Sequence, residues 1–149
     1  MADLNLTQDE ADKLLGMEKR AVDDKDWLFP PPGARMAIPL VSLDNRENFM
    51  LDVTRAQIKL TKATYQSRAR GAIVLLRLDL DGPPHRNPDG VEVACPHLHV
   101  YREGFGDKWA VPAPSDRYTN PDDLFLSFEA FMKQCNIKEL PRIHKGLFS

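Results

Sequence analysis

From Arg35 onward the chain alternates apolar and polar residues with a period of two, and this pattern constrains its fold most. Met36, Ile38 and Leu40 alternate, then Phe49, Leu51 and Val53, then Ile58 and Leu60. Side chains two apart on a strand share a face, so each run predicts a half-buried strand. The clearest is Ala72 to Leu80, with Ala72, Val74, Leu76, Leu78 and Leu80 predicted on one face. Its second face changes from Ile73 and Leu75 to Arg77 and Asp79, which predicts a polar site at the far end of the strand.

The loop Asp81 to Gly90, rich in Gly, Pro, Asn and Asp, predicts a hairpin-like return. Val91, Val93, Leu98 and Val100 then supply one strand, or two halves broken at Pro96, and a short strand is expected near Trp109 to Val111. Links this short favour an antiparallel meander.

Helical periodicity flanks the strands. Thr7 and Glu10 have capping-box spacing, with Leu6 placed to staple onto Ala11, and Ala11, Leu14 and Leu15 follow at helical intervals. A helix over 7–20 is predicted. Trp27 to Gly33 contains three consecutive prolines, which forbid helix and predict an extended connector over 27–33, anchored by Trp27 and Phe29. Near the C-terminus, Thr119 or Asn120 is placed to cap a helix, with Pro121, Asp122 and Asp123 in its first turn. Leu124, Phe125, Phe128, Phe131, Met132 and Cys135 give that helix, over 120–135, a wide apolar stripe. The tail 136–149 shows no strong pattern.

The expected fold is therefore a single α+β domain over 1–149. An N-terminal helix, a central antiparallel meander of about five to six strands over 35–111 and a C-terminal amphipathic helix make it up. At 149 residues such a domain buries enough surface to need no staples. Cys95 and Cys135 have no motif spacing and read as reduced thiols. The start MADLNLTQDEADKLL has no basic or apolar signal region, and no apolar run reaches membrane-spanning length, so a cytoplasmic protein is expected.

The net charge of −2 conceals an uneven distribution. Residues 55–86 hold seven cations (Arg55, Lys59, Lys62, Arg68, Arg70, Arg77 and Arg86) against only Asp79 and Asp81, while both flanks are acidic. Such a block suggests a local face for RNA or another phosphate ester.

Three of four histidines, His85, His97 and His99, fall within fifteen residues, and the last two share a strand face. Antiparallel pairing of strand 72–80 with 97–101 would set Arg77 and Asp79 beside His97, His99 and Tyr101, with His85 nearby. Cleavage of RNA by its own 2′-hydroxyl needs a base, an acid and a cation for the phosphorane charge. His97 or His99 would act as base or acid, Arg77 as charge stabiliser and Tyr101 as a stacking or proton-donating group. No metal or other cofactor is required. The alternative is a divalent metal such as zinc on His85, His97, His99 and Glu103. A non-enzymatic alternative is a protein-binding module, such as a phage- or mobile-element-encoded inhibitor, gripping its partner through Trp27 and Phe29 or the basic face.

Three resemblances bear on these readings. The string HLHVYRE resembles the first half of the cupin metal motif, but Gly90 and Ala110 depart from it and the second half is absent. The alternation at His97 and His99 matches two positions of the HIT hydrolases, where Tyr101 replaces the third histidine. LRLDL, PPHRNPDG, PHLHVY and DKWAVP together resemble an uncharacterised bacterial domain family. The chain is also similar to TumE-type toxins, which place Arg-x-Asp before a Pro-His turn and a Pro-His-x-His segment; Arg77, Asp79, His85, His97 and His99 hold the matching positions. That resemblance implies a small ribonuclease-like toxin held by an antitoxin.

Overall fold

A computed structural model describes residues 5–146. In chain order its elements are α1 (Gln8–Gly16), β1 (Lys19–Ala21), β2 (Trp27–Leu28), β3 (Arg35–Ser42), β4 (Asn48–Arg55), β5 (Ala63–Ala69) and β6 (Ile73–Leu80). There follow β7 (His85–Arg86), β8 (Glu92–Val93), β9 (His97–Val100), β10 (Ala110–Pro112), α2 (Leu124–Gln134), β11 (Ile137–Glu139) and β12 (Ile143–His144). The class is α+β, as expected.

The main sheet has eight strands in the order β10-β9-β6-β5-β4-β3-β1-β11. Its centre is the predicted antiparallel meander, and the sheet exceeds five to six strands because β1 and β11 extend one edge. β1 runs antiparallel to β3 and β11 parallel to β1. Both helices share one core with the inward residues Ile38, Leu51, Val53, Tyr65, Leu78 and Leu98, so they cover one face of the sheet. Residues alternating with these, including Asp52, Gln66, Arg77 and Asp79, belong to the other face.

Four predictions are corrected, two of them helix boundaries. α1 ends at Gly16, not Arg20, because Lys19 turns inward and becomes fully buried. Its ammonium donates to the carbonyls of Leu15, Met17 and Cys135 at 2.8–2.9 Å, satisfying helix-end acceptors while Lys19–Ala21 pairs with β3. α2 begins at Leu124 rather than near 120. Asp123, not Asn120 or Thr119, is its N-cap and accepts from Leu126 N at 3.0 Å.

Ile58 and Leu60 do not form a strand; they are 91% and 62% exposed in the turn before β5. β5 points Ala63, Tyr65, Ser67 and Ala69 inward, and Tyr65 packs 5.0 Å from Phe128 while donating to Leu124 O. Finally, the faces of β6 change over partway. Ser67 opposes Leu76 while Arg68 opposes Val74, so Leu75 is the extra residue of a bulge. Ile73 therefore joins the core, whereas Arg77 and Asp79 lie on the open face as predicted.

The connector is extended, and β2 pairs in parallel with β12, strands that the patternless tail did not announce. Phe29 is sealed against Phe125 and Phe128, so it is a core anchor and is not available to a partner. Among the described residues no helix is long and apolar enough to cross a membrane.

The capping box at α1 forms as predicted: Thr7 Oγ1 accepts from Glu10 N at 3.1 Å and Glu10 Oε1 accepts from Thr7 N. Thr7→Ala should lower the unfolding free energy by about 1 kcal/mol in urea titration, without altering the slope.

Candidate functional site

β6 and β9 are neighbours, and their register sets Arg77 opposite His99 and Asp79 opposite His97. Two alternating pairs thus become a four-residue cluster on the face away from the helices. The hairpin of β7 and β8 folds over it and brings His85 in. Asn87 pins this hairpin to β10, donating to Ala110 O at 2.9 Å and accepting from Ala110 N at 2.8 Å. The roof explains why two histidines on a polar face are buried, at 2% and 1% exposure.

Hydrogen positions follow from the acceptors present. His99 Nδ1 lies 2.8 Å from Asp107 O, a carbonyl that only accepts, so Nδ1 carries the hydrogen. His99 Nε2 stands between Arg77 Nη2 at 3.0 Å and Asp79 Oδ2 at 3.1 Å: the neutral ring accepts from Arg77 there, and the doubly protonated ring donates to Asp79. His85 Nε2 lies 2.7 Å from Lys108 O, which leaves Nδ1 as the basic atom of His85. His97 Nε2 donates to Asp79 Oδ2 at 3.0 Å, while its Nδ1 faces Val93 O at 3.1 Å and the Cys95 thiol at 3.5 Å. The His85 ring stands edge-on to His99 at 4.5 Å and lies 5.9 Å from His97.

Asp79 is the electrostatic centre. Burial works to raise its proton affinity, but the contacts with His99, the charge of Arg77 and the contact with His97 outweigh it. They hold the carboxyl well below the usual carboxylate range. Arg77 pairs with two carboxylates, lying 3.3 Å from Asp79 and 3.0 Å from Asp107. Asp107 had no sequence signal, because the loop that returns it to β6 closes through an isolated bridge between Arg102 and Gly106.

A groove of about 500 Å³ opens onto this cluster. Arg77, Asp79, His85, Cys95 and His97 line it, with Lys62 and Thr64 on the β5 side, whereas His99 lies behind them. Two predicted site residues stand elsewhere. The buried Tyr101 hydroxyl accepts from Leu6 N at 2.7 Å and donates to Leu6 O at 2.8 Å, clamping the chain before α1. Glu103 accepts from Gln8 N at 3.3 Å. Both lose the histidine face because β9 ends at Val100.

The basic block does not form one surface. Arg55 is buried on the helix side, donating to the Pro30 and Leu60 carbonyls, and Lys59, Arg68 and Arg70 pair with Asp81, Asp52 and Glu47. Lys62 and Arg77 reach the groove.

For a metal, Asp79, His97 and His99 offer ligand atoms within 4.8 Å of one another. Their donor set suits a divalent ion, and Nδ1 hydrogens held by backbone carbonyls would orient both imidazoles. Against this, Arg77 already places a cation in the cluster, with Nη2 3.0 Å from His99 Nε2. A bound ion would require the guanidinium to move. His85 and Glu103 do not belong to this set.

The fold and cluster define a class: an α+β protein with a His–Asp–Arg centre in a groove on the open face of its sheet. Residues 6–137 match DUF6978, a family of unknown function, and the chain belongs to that family. The matched stretch runs from before α1 to the start of β11 and includes every residue of the cluster. Neither a curated protein nor a solved structure matches the chain.

Proposed function

We propose that this chain is a ribonuclease-like enzyme of the toxin type, cleaving RNA at the 2′-hydroxyl without a metal. The observation that carries the reading is the convergence of His85, His97, Arg77 and Asp79 on one groove. The same four positions, with His99, carry the similarity to TumE-type toxins. Residues separated by twenty positions in sequence thus meet where a phosphate could sit.

The roles follow from the atoms. His85 Nδ1 takes the proton of the 2′-hydroxyl, whose oxygen attacks the adjacent phosphorus. Protonated His97 gives a proton to the departing 5′-oxygen. The P–O5′ bond breaks as the P–O2′ bond forms, yielding a 2′,3′-cyclic phosphate and a 5′-hydroxyl. Arg77 offers its guanidinium to the phosphorane oxygens, and Asp79 positions both His97 and Arg77. As a toxin the protein would be held by an antitoxin. A substrate with 2′-deoxyribose at the cleaved nucleotide should resist cleavage, while the matched all-RNA oligonucleotide is cut. Cleavage of both would refute the 2′-hydroxyl mechanism.

A second reading is favoured by the convergent ligand atoms: a divalent ion such as zinc bound by Asp79, His97 and His99. The ion would supply Lewis-acid stabilisation, and Arg77 would swing aside to contact substrate. Calorimetric titration with zinc separates the readings. Stoichiometric binding lost in His99→Ala supports the metal centre, and its absence supports the metal-free one.

A further inference from the structure

We infer that the RNA strand lies across the open face of the sheet, from Asp79 of the histidine cluster, on β6, to Arg35 on β3. This deepens the ribonuclease reading and rests on it for the substrate class. A second depression, of about 390 Å³, lies on the same face, lined by Arg35, Ala37, Asp52, Thr54, Gln66 and Arg68. It shares Thr54 and Gln66 with the catalytic groove, so the two make one continuous channel.

Register explains the channel's floor. Asp79 opposes Thr64, Thr64 opposes Thr54, and Thr54 opposes Arg35, which makes one straight row over four strands. Three interstrand steps of about 4.8 Å give a row of about 14 Å. At 3.4 Å per stacked nucleotide this is room for about four, and for fewer if the bases splay apart.

The row begins at the Asp79 carboxylate, passes two threonine hydroxyls and ends at a guanidinium. Thr54 and Arg35 are exposed and Thr64 is half-buried, where the opposite face is closed by helices.

Charge selects the occupant. The channel is lined by Arg35, Lys62, Arg68 and Arg77 against Asp52 and Asp79. Asp52 is taken by Arg68 at 2.6 Å and Asp79 by Arg77. Among the described residues, Lys62 near one end and Arg35 at the other make no ion pair. Lys62, whose charge also acts on Asp81, and Arg35 are separated by a floor of hydroxyls and an amide, and the two cations match successive backbone phosphates. Arg35 touches no reacting group, so it contributes to substrate binding rather than to the chemical step.

The test uses the full-length protein and a fluorescein-labelled twelve-nucleotide single-stranded RNA, made uncleavable by 2′-O-methylation. Anisotropy gives affinity and its salt dependence for wild type, Arg35→Glu and Thr54→Asp, each checked for an unchanged melting temperature. Wild type should bind, and Arg35→Glu should weaken binding by tenfold or more, with a salt slope reduced by about one. Thr54→Asp should weaken it similarly. On cleavable substrates Arg35→Glu should raise KM for the twelve-mer by a larger factor than KM for a dinucleotide, which is too short to span the row from Asp79 to Arg35.

Unaltered binding by both variants overturns the inference, as does a dinucleotide cleaved as efficiently as the twelve-mer. So does a wild type that ignores RNA and binds an acidic peptide instead. Arg35-dependent binding without any cleavage supports the track and overturns the catalytic reading alone.

Discussion

Asp79→Ala should destabilise the protein by about 2–4 kcal/mol, because it leaves Arg77 and two buried imidazoles without their common anion. The lower half of that range is favoured, since the Asp79 side chain keeps 24% exposure and Arg77 28%, and solvent screens part of the loss. Urea denaturation at neutral pH measures it. Asp79→Asn should cost less, because the amide oxygen still accepts from His97.

The effect has a definite pH dependence. The folded carboxyl titrates well below its ordinary 3.8, so its contribution is fully present above that value. It is lost as pH falls through the lowered folded value. The stability gap between wild type and Asp79→Asn should therefore stay constant from neutrality to about pH 5 and close only in strong acid. A gap that closes between pH 7 and pH 5 would mean that Asp79 is not held ionised by its neighbours.

His85→Ala should separate chemistry from stability. Its ring is half-buried on a hairpin whose position is fixed by Asn87, so unfolding should change by less than about 1 kcal/mol. Turnover should fall by about 10²- to 10⁴-fold, the usual contribution of a positioned acid or base. Added imidazole should restore part of the rate, which a purely structural role would not allow. His97→Ala, by contrast, removes a buried donor to Asp79 and should lower stability and activity together.

What the sequence revealed follows from side-chain size. β3, β4 and β6 carry large aliphatic residues on their inward face, so their alternation is visible. β5 does not: Ala63, Tyr65, Ser67 and Ala69 face the core, and the exposed Ile58 and Leu60 before it imitate a strand. β1, β2, β11 and β12 have only two or three residues each, too few for a period. β1 and β11 form by adding to an edge of the main sheet, and β2 and β12 by pairing with each other. The early end of α1 depends on Lys19 finding carbonyls from two distant segments, information that no local window holds.

The cluster was more legible than its surroundings. Arg77 with Asp79, and His97 with His99, are two-residue alternations that antiparallel register makes adjacent. His85 arrives through the turn that its Gly, Pro and Asn neighbours announced. Tyr101 continued the same alternation in sequence, yet the strand stops one residue earlier and the ring turns to the α1 side. Asp107 and Asn87 act through a loop closure and a hairpin pin, which spacing does not encode. The basic block misled because charge counting ignores partners: Asp52, Asp81 and Glu47, two of them outside the block, neutralise three of its seven cations.

The central claim is a metal-free phosphodiester-cleaving site on β6, β9 and the β7–β8 hairpin. The most direct measurement incubates labelled RNA with wild type and with a His97→Ala/His99→Ala variant of verified fold, both in excess EDTA. The account predicts cleavage to 2′,3′-cyclic phosphate ends by wild type and none by the variant. No cleavage by wild type in EDTA, or equal cleavage by both proteins, would contradict it.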